Sequence, residues 1–380
     1  MTAKAELAIL GGGVIGFSIA YHLAKEGVPC QVIEMDSIAS KASGISEGFI
    51  GSPTSMAIFF ASPHFPRGVL LPYISLCQES FTRHRQLALQ LCEEGGVDIQ
   101  YGEATRLFVA LQEDEEKELK TLLSEAKSKG FEASWLGKDE LKAVDPGLTP
   151  EARGAVLVPQ DQLDSYRYVL ALAQAAEAQG VGIQYRQAVG FRCQGSRVSS
   201  IILSTGEVEA EGVIIAMGPW SRQATSWLGM EIPLDTIRGQ ALRLKVPRRL
   251  PKYQFAYGGT SICNKVDGSV IIGYVEDRPE GFDDNPTEEA KEKMIKGAVR
   301  LFPELEESTV VEAMSGLLAY PPDALPILGR LPGWENVYIA TGLGTMGITL
   351  SPVVGRIMAD LIAKGKTDKV IEKLSPARFG

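Results

Sequence analysis

Six residues near the N-terminus, Gly11-Gly12-Gly13-Val14-Ile15-Gly16, satisfy the pattern G-x-G-x-x-G, and Glu34 closes the next apolar run with Met35 beside it. The chemistry these types allow is dinucleotide capture, with backbone N–H groups for a pyrophosphate and a carboxylate for a ribose diol. Gly11 permits the tight turn, Gly13 lets the N–H groups of Val14 and Ile15 approach phosphate, and Gly16 lets helix and strand pack closely. A lone glycine pattern is weak, but here strand, turn, helix, strand and terminal acid coincide. The alternative, an ordinary turn with Glu34 in water, leaves the glycine spacing unexplained.

A second glycine-rich turn, Thr341-Gly342-Leu343-Gly344-Thr345-Met346-Gly347, continues into Ile348 and Thr349. Ser351 reads as an N-cap and Pro352 as the first residue of a helix that runs to Lys364 and stops at Gly365. A positive helix end then lies beside a flexible backbone loop. Between the two turns, the run from Ser40 to Gly48 is small and polar. It either wraps a cofactor with backbone and hydroxyl donors or merely connects. The apolar run Gly212 to Ala216, ending in Met217-Gly218-Pro219-Trp220-Ser221, suits a buried parallel strand whose C-terminal end faces a ligand, with Gly218 under the cofactor.

The elements that must position these groups are legible in outline. A strand over Ala5 to Leu10, a helix over Val14 to Glu26 and a strand over Pro29 to Glu34 frame the first turn. Helices follow at Glu79 to Cys92 and Glu115 to Lys129, separated by a strand over Ala104 to Leu111. Another helix spans Ser165 to Gln179, and short strands span Gln184 to Val189, Val198 to Ser204 and Val208 to Glu211. Pro233 to Gly273 is rich in strand and precedes a helix over Thr287 to Leu301. The stretch Phe49 to Leu76, apolar and interrupted by Pro63, Pro66 and Pro72, suits a buried loop, a pocket lining, a partner surface or a membrane contact.

Composition narrows the classes. The 380 residues suggest two or three domains, and a net charge of −9 argues against nucleic-acid binding. Five scattered cysteines without C-x-x-C and three histidines without ligand spacing argue against a metal site and for a reducing compartment. The N-terminus enters the first strand directly and no uninterrupted run of about 18 apolar residues occurs. The expectation is a cytoplasmic protein, with peripheral membrane contact left open through Phe49 to Leu76.

In order and spacing, these motifs resemble the D-amino-acid-oxidase-like family of FAD enzymes. Arg238-Gly239-Gln240, Gly316-Leu317 and Pro322 to Gly329 extend the resemblance over nearly the whole chain. It implies an α/β fold: a discontinuous Rossmann-like FAD-binding domain over 1–78, 155–222 and 318–380, and an α+β substrate domain over 79–154 and 223–317 on a mainly antiparallel sheet. It implies that Glu34 binds the adenosine ribose and that Val189 meets adenine through its backbone. Ser40 to Ser43, with Lys41 and Gly44, lie on the pyrophosphate side, Gly218 and Trp220 beside the cofactor, and Gly344 to Thr349 along the flavin pyrimidine.

The reaction implied is hydride removal from a carbon bearing an amine, giving an imine that water hydrolyses. Tyr257, Tyr274 and Tyr320 are the candidates to contact substrate, each equally readable as a packed aromatic. Three departures from the family pattern bear on function. Gly316 stands where a covalent flavin linkage needs a cysteine, so FAD is expected to be non-covalent. Leu318 stands where glycine oxidases carry a carboxylate-binding arginine, and Ser261 lies near the position of their tyrosine, so glycine is not supported as substrate. Ile271 stands where the sarcosine-oxidase pattern has a lysine that assists oxygen, so a dye or quinone is expected to outrun O₂ as electron acceptor. Rival readings are a nicotinamide dehydrogenase, a 2-hydroxy-acid dehydrogenase on the same scaffold, and an electron-relay subunit of a homo- or hetero-oligomeric complex.

Overall fold

The structure is a computed structural model that describes residues 5–60, 70–279, 281–366 and 368–380, with the side chains of 5–6, 60, 70–72 and 274–277 outside the description. Two sheets organise it. The first runs in the order Ile327–Arg330, Val337–Thr341, Gly206–Ile215, Ala5–Leu10, Cys30–Glu34, Gly182–Tyr185. Ala5–Leu10 pairs in parallel with Cys30–Glu34 and Gly206–Ile215, and the latter pairs in parallel with Val337–Thr341. Cys30–Glu34 is buried at every position, as a parallel strand covered on both faces requires. Val208 to Ile215, expected as separate pieces, is one strand whose early part also carries the antiparallel hairpin Ala188–Gln194 and Arg197–Leu203.

One face of this sheet is covered by the helices Val14–Lys25, Leu70–Gly95, Ser165–Ala178 and Gly347–Lys364, whose apolar residues form the main core. The tail helix starts at Gly347, one turn before the expected Ser351 cap, so Pro352 lies inside it. A proline removes the N–H that would bond the Ile348 carbonyl. Ser351 Oγ at 2.9 Å and His84 Nε2 at 3.0 Å supply that bond from elsewhere, while Ser80 Oγ serves the Thr349 carbonyl at 2.6 Å. The helix is long and apolar enough to cross a membrane by length and composition. Arg356 and Asp360 interrupt it and pair at 3.1 Å, and most of it is buried in the core, which accounts for its apolar character without a bilayer.

The second sheet has nine strands, in the order Thr309–Tyr320, Asp235–Lys245, Val270–Asp277, Thr260–Asn264, Tyr253–Tyr257, Gly102–Ala110, Gly154–Gln162, Phe49–Gly51, with Ser134–Gly137 on the edge of Gly154–Gln162. It is antiparallel except where Tyr253–Tyr257 meets Gly102–Ala110. Gly154–Gln162 and Thr309–Tyr320 cross boundaries expected from sequence, and Phe49–Gly51, inside 1–78, belongs to this second sheet. Phe49–Gly51 and Gly154–Gln162 pair with each other in this sheet, and Thr309–Tyr320 spans residue 318 without leaving it. The segment Phe49 to Leu76 contributes that edge strand, the helix Pro53–Phe60 and the start of Leu70–Gly95; residues 61–69, with Pro63 and Pro66, lie outside the described residues.

Candidate active site

A cavity of about 260 Å³ separates the glycine turns of the first sheet from the face of the second. At one end stands Glu34, only 7% exposed. Its Oε2 accepts the Gly12 N–H at 2.6 Å and its Oε1 accepts the Asp36 N–H at 2.9 Å. Each oxygen retains a second lone pair for a ribose hydroxyl. Gly11, with φ of +109°, lies where a Cβ would strike the Ala216 carbonyl, and a Cβ on Gly16 would strike the carbonyl of Gly11. Those collisions show why the turn and its helix demand glycine.

Two helix N-termini open on the cavity. Val14–Lys25 and Gly347–Lys364 both lack a side-chain cap, and Val14, Ile15, Gly347 and Ile348 line the wall. Uncapped first-turn N–H groups and the positive helix end form an anion site. Ser43 reaches over the first of them, with its Oγ accepting the Val14 N–H at 3.1 Å.

Fourteen expected cofactor residues line this cavity: Gly11, Gly13, Val14, Ile15, Glu34, Met35, Lys41, Ser43, Gly218, Trp220, Gly344, Thr345, Gly347 and Ile348. Lys41 Nζ pairs with Asp284 at 3.0 Å and sits 5.9 Å from the Trp220 ring, which stacks on Phe282 at 5.5 Å. Six others are placed behind or beside the lining. Gly16 packs under the turn, and Gly44 lies against the Ala39 carbonyl. Ser40 Oγ is buried without a partner, and Met346 is buried. Thr349 Oγ1 donates to the Phe49 carbonyl and accepts the Gly51 N–H, tying the tail helix to the second sheet. Val189 sits in a bulge with its side chain in water, while its neighbours Gln187 and Ala188 line the cavity.

Two of the three candidate tyrosines fall outside the lining. Tyr257 shares its strand face with Phe255, in the core of the second sheet and under Arg300, one residue out of phase with the cavity face. Tyr320 is buried below the second turn, where its hydroxyl accepts the Thr345 N–H at 3.3 Å and its ring fills the space a Cβ on Gly344 would need. Burial raises its pKa, so it stays protonated. Tyr274 pairs with Gln240 through the backbone, and its side chain lies outside the described residues.

The opposite wall joins residues of the quoted motifs to Ala241, Phe49 and Glu47, which the motifs did not single out. Gly239 and Gly316 face each other across paired strands, and a Cβ on Gly316 would meet Ile45 Cδ1 at 2.7 Å and Ala42 Cα at 2.8 Å. Glycine there admits the short helix Ala42–Ile45. Arg238 and Gln240, which flank Gly239, hold the loop behind the sheet through Asp283, Asn285 and Thr287. Leu318, Ala241, Phe49 and Glu47 complete the wall. Only Gly273, a glycine inside a strand, signals the close approach of Glu47, because a Cβ at 273 would coincide with that carboxylate.

Comparison with known proteins agrees with this geometry. Residues 6–361 match the family described as DAO, FAD dependent oxidoreductase. The chain belongs to that family and is an FAD-dependent oxidoreductase. It is 29% identical over 375 residues to the glycine oxidase of Geobacillus kaustophilus (strain HTA426), covering 97% of this chain and 95% of that one. The crystal structure of glycine oxidase from Bacillus cereus ATCC 14579 superposes with a TM-score of 0.87 at 28% identity, over 97% of this chain and 98% of that one. That from Geobacillus kaustophilus gives 0.89 at 26%, over 98% of each. The buried acid Glu34, the two helix N-termini at the cavity and the glycine turns that a Cβ would fill together fit FAD.

Proposed function

We propose that the protein oxidises the C–N bond of an apolar amine, including N-alkylated and cyclic ones, and holds FAD without a covalent bond. FAD, when bound, would supply a two-electron acceptor for the hydride. The chain's own residues hold the cofactor's ribose at Glu34, oppose developing negative charge with the N-terminus of Gly347–Lys364, and shape an apolar chamber over Gly316 and Ala241. The observation that carries the substrate class is Leu318 in that wall. A leucine offers a carboxylate no bidentate partner, whereas small amino acids are usually gripped by an arginine. Gly316 supports non-covalent FAD, since it has no thiol and Ala42 and Ile45 occupy the space of one.

The electron acceptor in this reading is a dye or quinone-like molecule in preference to oxygen. Ile271 is buried in one apolar cluster with Ala241 and Met314. Two cations of this region are already engaged: Lys265 Nζ donates to the carbonyls of Glu47 and Leu163, and Arg238 pairs with Asp283. One anaerobic experiment tests both statements. Apolar amines bleach the visible flavin band while 2-hydroxy acids do not, and a dye restores the band faster than air. Bleaching by 2-hydroxy acids alone overturns the substrate reading; air faster than dye, with stoichiometric peroxide, overturns the acceptor.

A further inference from the structure

We propose that Glu47 is the specificity carboxylate of the cavity, binding the ammonium of the incoming amine. This rests on the reading of the cavity as an amine site. Glu47 lines the cavity on the side of the second sheet, and each of its oxygens is fixed by one side chain. Ser261 Oγ donates to Oε1, and Cys263 Sγ donates to Oε2 at 3.2 Å. A carboxylate accepts about four hydrogen bonds, so lone pairs remain on both oxygens. Gly273 leaves the space in which the carboxylate lies.

Among the described residues no ion pair neutralises Glu47. The ammonium of Lys265 points at main-chain oxygens, 2.6 Å from the Glu47 carbonyl and 3.2 Å from that of Leu163. Arg106 is buried in the same sheet, its guanidinium 5.2 Å from the rings of both Phe49 and Phe108. Neither cation lines the cavity. A charge left unpaired against apolar lining is unfavourable unless a ligand completes it. With Leu318 where a cation would bind a carboxylate, the charged group that this wall presents to a ligand is an anion, and its complement is an ammonium.

The test uses the FAD-loaded enzyme and two near-isosteres that lack an α-hydrogen and cannot be oxidised, 2-phenylpropan-2-amine and 2-methyl-2-phenylpropanoate, with binding measured by isothermal titration calorimetry. The intact protein is expected to bind the amine at least tenfold tighter than the acid. Glu47→Gln is expected to weaken the amine by about ten- to hundredfold, the value of a charge-assisted hydrogen bond, with FAD content unchanged. Glu47→Asp, which keeps the charge, is expected to retain the preference at lower affinity. Equal binding, preference for the acid, no binding of the amine, or a preference that survives Glu47→Gln overturns the proposal. The preference of the intact protein is decisive even if Glu47→Gln does not fold. Absence of amine turnover with this binding intact overturns only the proposed reaction; turnover with charge-blind binding overturns only the role of Glu47.

Discussion

On one side of the cavity the wall is backbone: Gly11, Gly13, Gly344 and Gly347 bring N–H groups and helix ends to the surface. On the other it is side chain: Leu318, Ala241, Phe49 and Glu47. In the proposed reading, backbone donors recognise phosphate, ribose and flavin edge, which are the same for every substrate, whereas side chains decide which molecule is admitted. Changes on the first wall are therefore expected to remove the cofactor, and changes on the second to exchange the substrate.

The strongest way to break that contrast is Gly16→Val. Even its Cβ collides with the Gly11 carbonyl, so helix and turn must separate. Overpacking of this kind costs about 3 kcal/mol, and the flavin-to-protein absorbance ratio of the purified variant should fall nearly to zero. Glu34→Ala comes next. Losing a charge-assisted acceptor costs about 1.5–3 kcal/mol, so FAD should bind ten- to hundredfold more weakly in a titration of apo-protein. Unchanged affinity would place the ribose elsewhere.

A smaller effect sharpens the contrast through pH. Burial lowers the pKa of His84 from 6.5 to about 4, and that of His22 likewise to about 4. His84 stands on the cofactor side, holding the carbonyls of Ile348 and Thr349. A folded-state pKa below the unfolded value means the unfolded chain takes up the proton first. This stabilisation is complete above about pH 6.5 and is lost as pH falls toward 4. At about pH 5.5 each histidine contributes a loss of roughly 1.4 kcal/mol. Urea midpoints at neutral and acid pH should show it, and His84→Gln, which keeps a donor but cannot titrate, should flatten the slope.

How much of this was legible depended on distance along the chain. The first glycine turn and Glu34 lie within one strand-helix-strand unit, so spacing alone revealed them. The tail turn was visible too, but the helix start was misplaced, because Ser-Pro has the same appearance at a cap and inside a helix. What distinguishes the cases is His84 and Ser80, about 265 residues away in sequence, serving the freed carbonyls. Glu47 was passed over inside a polar loop, since its partner Ser261 is 214 residues distant. The strands Phe49–Gly51 and Gly154–Gln162 joined the second sheet for a similar reason: pairing is a long-range choice that local pattern does not encode. Tyr257 shows a finer limit, since a single residue of register moves a side chain to the opposite face.

The central claim, that the side-chain wall admits amines and offers no grip to a carboxylate, is tested most directly by one matched pair. Benzylamine and phenylglycine, the latter as both enantiomers, carry the same reacting carbon and differ by the carboxylate. Anaerobic kcat/KM, followed by loss of the visible flavin band, should favour benzylamine by tenfold or more. Faster oxidation of either phenylglycine would show that the wall recognises a carboxylate, and would contradict the roles given to Leu318 and Glu47.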